Sequence, residues 1–120
     1  MVLVDTNIWI NHLRKSEQGL VALLNTGSVA CHPFIIGELA AGNLKNRAEI
    51  LGLFKALPSV QVVESHELLD FIDSRKLMGK GLSFVDLHLL ASAVLARVPL
   101  WTGDKRLSSA AKELGVDLKR

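Results

Sequence analysis

Val2-Leu3-Val4-Asp5-Thr6-Asn7-Ile8-Trp9-Ile10 carries three apolar residues straight into a carboxylate, just after the initial methionine. A short, unbroken apolar run is the mark of a strand covered on both faces, as in a parallel sheet. Asp5, Thr6 and Asn7 then offer three caps for a helix from Asn7 to about Arg14. Strand, carboxylate and helix form one unit, and the rest of the chain repeats its alternation.

Gln18 to Asn25 has helical spacing and stops at Thr26-Gly27, where glycine suits a C-terminal cap. Val29-Ala30-Cys31 is a second strand, and Pro33 suits the first turn of a helix from Phe34 to Ala41 that Gly42 ends. A helix from Asn46 to Leu57 stops before Pro58, and Val60 to Val63 is a β-branched third strand. Ser65 opens an amphipathic helix to about Met78, and Gly79 to Gly81 is a flexible joint. The most hydrophobic helix spans Ser83 to Ala96, followed by a fourth strand, Pro99-Leu100-Trp101, and the loop Thr102-Gly103-Asp104. A last helix from Arg106 to Leu114 ends at Gly115, with Val116 to Leu118 as an edge strand.

No Asn-Gly hairpin signal joins any two strands, so the alternation predicts an α/β fold with a mainly parallel sheet flanked by helices. Ligand sites in such sheets form beyond the carboxyl ends of strands, near the switch in strand order. Asp5 and Asp104 both stand just past a strand.

With 120 residues, 49% of them hydrophobic, the chain suits a single domain over residues 1–120. Cys31 is the single cysteine, which rules out an intrachain disulfide and fits a reducing, cytoplasmic setting. Asp5 breaks the amino-terminal apolar run, so no secretory signal is expected. The longest uncharged stretch, Gln18 to Gly37, is interrupted by Asn25-Thr26-Gly27 and His32-Pro33, so no membrane span is expected. A formal net charge of +2 permits an anionic partner without requiring one.

Four acids stand in apolar surroundings. Asp5 follows Val2-Leu3-Val4, and Glu38 lies within Phe34-Ile35-Ile36-Gly37-Glu38-Leu39. Asp86 lies within Phe84-Val85-Asp86-Leu87-His88-Leu89-Leu90, and Asp104 follows Leu100-Trp101-Thr102-Gly103. Helical spacing puts Phe34 and Ile35 on the face of Glu38, and Leu89 and Leu90 on that of Asp86, so both acids are expected on inward faces. No Lys or Arg lies within four positions of either. Each acid also has a plain structural role open to it. Asp5 can cap the first helix, Asp86 completes a capping box with Ser83, Asp104 suits a turn, and Glu38 can meet an arginine.

Converging carboxylates repel by about 4 kcal/mol per pair at about 4 Å and an effective dielectric near 20. A divalent cation reverses that penalty, and an all-oxygen set suits magnesium or manganese. Zinc is disfavoured by the lone cysteine and the absence of paired histidines at ligand spacing.

Val4-Asp5-Thr6-Asn7, Gly37-Glu38-Leu39 with Gly42, Ser83-x-x-Asp86 before an alanine-rich helix, and Thr102-Gly103-Asp104 together resemble the PIN domain. The resemblance covers essentially the whole chain and is closest to the VapC-type toxins of type II toxin–antitoxin pairs. It implies a three-layer α/β/α domain with a central, mainly parallel sheet of four to five strands. It also implies a magnesium- or manganese-dependent endoribonuclease, with Asp5, Glu38 and Asp86 as the main metal carboxylates and Asp104 as a fourth acting through water. Thr6, Asn7 and Thr102 become supporting polar groups. A homodimer and a cognate antitoxin whose tail enters the acidic groove are likewise implied. The run Asp104-Lys105-Arg106-Leu107 departs from the family pattern in lacking a second acid and an aromatic.

The chemistry expected is hydrolysis of an RNA phosphodiester, leaving 5′-phosphate and 3′-hydroxyl ends. Arg14 and Lys15, Lys45 and Arg47, and Lys105 and Arg106 each follow a proposed metal ligand by a few residues, as phosphate contacts should. His12, His32 and His66 read as loop or helix-end residues, while His88 points away from Asp86, and Trp9 and Trp101 read as core or dimer contacts. The rival from another class is a non-catalytic PIN-like module that binds RNA or protein, which loss of an acid would favour. A receiver domain needs an acidic pair after the first strand, and a P-loop needs its glycine-rich lysine motif; neither is present.

Overall fold

The computed structural model describes residues 1–119. Val2–Val4 forms β1, and all three of its residues are buried, so helices cover both faces of the strand. Helices α1 (Thr6–Lys15) and α2 (Gln18–Asn25) follow, then β2 (Val29–Ala30), α3 (Pro33–Ala41) and α4 (Arg47–Ala56). Helices α5 (Ser65–Arg75) and α6 (Phe84–Ala96) precede β3 (Leu100–Trp101) and α7 (Lys105–Glu113).

The sheet is parallel in the order β2-β1-β3. Leu3 faces Ala30 on one side and Leu100 on the other. Single parallel bridges extend it at each edge, Cys31 to Ser59 beyond β2 and Leu100 to Asp117 beyond β3. The four to five expected strands are thus three strands and two one-residue additions. Val60 to Val63 does not form the strand its β-branched residues predict. Within it only Val60 is tied to the ladder, donating its amide to the Cys31 carbonyl at 2.9 Å next to the Ser59 bridge.

The chain leaves β1 toward β2 and later returns to the opposite side at β3, so strand order switches beside β1. Asp5 donates its amide to the Trp101 carbonyl at 2.9 Å, which places the carboxyl ends of β1 and β3 side by side at that switch. Helix packing divides in two. Helix α3 packs chiefly on α1 and α4, while α6 packs chiefly on α5, α7 and β3. The main core joins Leu3, Val4, Leu20, Ile35, Leu89, Leu90 and Leu107 with both tryptophans, so Trp9 and Trp101 are core residues. Trp9 meets the Phe54 ring edge-on at 4.6 Å.

Candidate active site

Asp5 caps α1. Its Oδ1 accepts the Thr6 amide at 2.7 Å, and its Oδ2 accepts the Thr102 hydroxyl at 2.7 Å. Asn7 lies across the same gap: its Nδ2 donates to Asp5 Oδ2 at 3.4 Å and to Thr102 Oγ1 at 3.3 Å, while its Oδ1 accepts the Gly103 amide at 3.0 Å. Thr102 therefore uses its one proton on Asp5 and both lone pairs on Asn7 and on the Asp104 amide, 3.1 Å away. Two strand ends are bound into one polar cradle with Asp5 at its floor.

Thr6 reaches the other way. Its hydroxyl donates to Glu38 Oε1 at 2.6 Å, which ties α1 to α3 and aims the glutamate toward Asp5. Asp86 is held by a capping box, accepting the Ser83 amide at 3.0 Å through Oδ2 while Ser83 Oγ accepts the Asp86 amide at 3.0 Å. Asp104 caps α7, its Oδ1 accepting the Leu107 amide at 3.0 Å. Asp5 and Asp86 thus fill the capping roles open to them, while Asp104, expected in a turn, caps a helix instead; each still has carboxylate lone pairs to spare.

Burial of Asp5 raises its carboxyl above the usual carboxylate value; the bonds from Thr102 and Thr6 pull it down, and the charges of Asp86 and Glu38 push it up. Glu38 and Asp86 are therefore each within electrostatic reach of Asp5, whereas Asp104 connects to Asp5 through Thr102. Among the described residues none of the four acids has a basic ion-pair partner, since the ion pairs present are His66–Glu64 and Lys80–Glu113. The expected inward-facing position of two acids needs correction. Asp5 alone is buried, Asp86 is half-buried and Glu38 is exposed. Ile35 and Leu39 carry the buried line of α3, which turns Glu38 to the helix edge.

A hard divalent cation fits this donor set, which is all oxygen, anionic and without a neutralising base. No three of the four acids have ligand oxygens all within 4.8 Å of one another. An ion held by these acids would require them to close in or would be reached by some of them through water. One triad does lie that close, Glu64, His66 and Glu67, but all three are exposed at the start of α5. Its contacts are already explained, because Glu67 Oε1 accepts the Glu64 amide at 3.1 Å and His66 pairs with Glu64 at 3.4 Å.

The expected cations divide. Arg14 and Lys45 line a groove of about 770 Å³ together with Glu38, Asn43 and Asn46. Lys105 and Arg106 line a hollow of about 380 Å³ with Lys80, Ser109 and Glu113. Arg47 turns back to its own loop, donating to the Gly42 carbonyl at 3.3 Å, and Lys15 is simply exposed. Lys80 and Ser109 were not legible as members of this hollow, since the joint at 79–81 and α7 meet only in the fold. The histidines also differ from expectation. His32 does end a helix, but it is fully buried, as is most of His88.

Comparison with known proteins identifies the family. The PIN domain family model matches residues 2–113. The chain is 45% identical over 119 residues to Ribonuclease VapC32 of Mycobacterium tuberculosis, covering 98% of this chain and 96% of that protein. It is 26% identical over 121 residues to Ribonuclease VapC1 of Methanocaldococcus jannaschii, covering 98% and 85% respectively. With its family model matched from β1 through α7 and Asp5 and Asp104 set at the switch between β1 and β3, the chain belongs to the PIN domain family.

Proposed function

We propose that this chain is a divalent-metal-dependent endoribonuclease, a single-domain toxin of a type II toxin–antitoxin pair. The observation that carries the reading is Asp5, buried without a basic partner and pressed by the charges of Asp86 and Glu38. Isolated buried charge is costly, and a cation is the partner this oxygen set fits. Asp5, Glu38 and Asp86 would hold magnesium or manganese, with Asp104 contributing through water. A metal bound there supplies Lewis acidity, lowering the pKa of water and steadying the departing 3′-oxygen.

The chain's own groups do the rest. Thr102, Asn7 and Thr6 fix the rotamers of Asp5 and Glu38, so the carboxylates are oriented before substrate arrives. Arg14 and Lys45 extend cationic surface along the groove from Glu38, where an RNA backbone would run. Lys105 and Arg106 do the same beyond Asp104, with Lys80 and Ser109 beside them.

An antitoxin has a suitable berth. A nearly all-apolar groove of about 300 Å³ runs among Trp9, Leu13, Leu24, Ile50 and Phe54. Leu13 and Ile50 also line the groove that contains Glu38, so an apolar segment seated in the first could continue to the acids. Homodimerisation is supported by Leu69 and Leu95, exposed on the mutually packed helices α5 and α6. No described helix is long and apolar enough to cross a membrane, and we place the protein in the cytoplasm.

The test is incubation of the purified protein with a pool of structured RNAs, with magnesium or manganese in one arm and a chelator in the other. Asp5→Asn combined with Asp86→Asn serves as the matched variant. Metal-dependent cuts lost in the variant support the reading; cutting that survives both chelator and variant refutes it.

A further inference from the structure

His32 occupies a position that its capping role does not use up. Its Nδ1 accepts the Phe34 amide at 3.0 Å, which caps α3, and its Nε2 lies 3.2 Å from Ser92 Oγ in the middle of α6. Ser92 in turn donates to the Gln61 carbonyl at 2.7 Å. Donor counting fixes every proton in this chain of bonds. An amide can only donate, so Nδ1 is bare; a carbonyl can only accept, so the Ser92 proton points at Gln61. Nε2 must therefore carry the imidazole proton and donate it to Ser92. Both side chains are fully buried, so water does not compete.

The bond joins the two halves of the helix packing. Helix α3 carries Glu38 and leans on α1 and α4, whereas α6 carries Asp86 and leans on α5, α7 and β3. Between them run this bond and the edge-on contact of Phe34 with His88, 4.8 Å between ring centres. Glu38 lies six residues beyond His32, and Asp86 six before Ser92. At about 1.5 Å per residue each acid stands about 9 Å along its helix from the link. A tilt of about 10° about that link would move a carboxylate by about 1.5 Å, enough to spoil a catalytic constellation.

We propose that His32, through Ser92, is a positioning residue that sets the separation of Glu38 from Asp86. The proposal rests on the metal reading above and concerns how that site is held in shape. Capping and cross-linking can be separated by substitution. His32→Asn keeps a capping oxygen for the Phe34 amide but is too short to reach Ser92. Ser92→Ala removes the acceptor and leaves the cap intact.

The experiment measures manganese affinity of the intact protein by electron paramagnetic resonance without RNA, then kcat and KM on a cleaved RNA. The proteins are wild type, His32→Asn, Ser92→Ala, the two combined, and Leu20→Ala as a core change that lowers stability from α2, which carries neither the link nor any of the four acids. We expect each single variant to weaken manganese binding about tenfold and to lower kcat with KM little changed. The combined variant should be no worse than the more affected single one, because both cut the His32–Ser92 bond and Ser92→Ala alone also cuts the bond to the Gln61 carbonyl. Leu20→Ala should melt earlier yet bind manganese as wild type does. Wild-type manganese affinity and kcat in His32→Asn and Ser92→Ala would overturn the positioning role while leaving the metal site standing, and so would losses that simply add. A wild-type protein that binds no manganese would overturn the metal reading and this proposal with it.

Discussion

Thr102 holds Asp5 from the end of the neighbouring strand: its hydroxyl donates across 2.7 Å to Asp5 Oδ2 while accepting the Asp104 amide at 3.1 Å. One hydroxyl thereby links the buried acid of β1 to the acid that caps α7. Residues 97 positions apart in sequence meet because β1 and β3 are parallel neighbours.

Thr102→Val keeps the shape and removes the hydroxyl. Asp5 then loses its strongest side-chain donor, and we expect cleavage to fall by about 10- to 100-fold. Thr102→Ser should restore most of it. Steady-state cleavage rates of the two variants check this.

The raised Asp5 carboxyl has a stability consequence. Its folded-state value lies above the ordinary one, so the folded protein holds that proton more tightly than the unfolded chain. The contribution is favourable in acid, below the ordinary carboxylate range, and is lost as pH rises through the folded value. At neutral pH in chelator, Asp5→Asn should therefore raise the melting temperature, since asparagine still caps α1 and the uncompensated charge is gone. Added manganese should raise the wild-type melting temperature and leave the variant unmoved. Thermal melts in both conditions decide it.

Much of this architecture was legible because the signals are local. An apolar triplet ending in Asp5, Pro33 in the first turn of α3 and the Ser83–Asp86 box each act within a few residues. Exposure was less legible. Neighbours on the Glu38 face are apolar, yet Ile35 and Leu39 take the buried side and leave Glu38 at the edge, a choice made by where α1 and α4 lie. Val60 to Val63 has strand composition but only a bridge at Ser59, because β-branched residues pack into the core there without a partner ladder. Nothing in the sequence distinguished His32 from a surface loop histidine, since its partner Ser92 lies 60 positions away.

Burial, with a smaller push from the charge on His88, lowers the His32 imidazole to about 4 from an ordinary value of 6.5. It is neutral in the folded protein, so its contribution is fully present above about pH 6.5 and is lost as pH falls toward about 4, on the order of 3 kcal/mol in all. Burial lowers His88 as well, so it acts in the same direction. Denaturant melts across that range should show the acid limb flattened in His32→Asn. Nitrogen NMR of the imidazole at neutral pH should find the proton on Nε2.

Gly81 has φ +73°, and a Cβ there would lie 2.7 Å from Arg106 Nη1. Gly81→Ala should cost about 1 kcal/mol or more through its backbone alone and also displace the guanidinium. Arg106→Ala should weaken RNA binding and reduce its salt dependence by about one counterion. RNA affinity at several salt concentrations reads both effects, and an unchanged salt slope would remove Arg106 from the RNA path.

The most direct test of the metal-assisted hydrolysis is cleavage of one defined RNA in water enriched in heavy oxygen, with magnesium, followed by mass spectrometry of the new ends. We expect 3′-hydroxyl ends and 5′-phosphates carrying a single solvent oxygen, abolished by chelator and by Asp5→Asn. Ends bearing a 2′,3′-cyclic phosphate, with cutting undiminished in chelator, would contradict it.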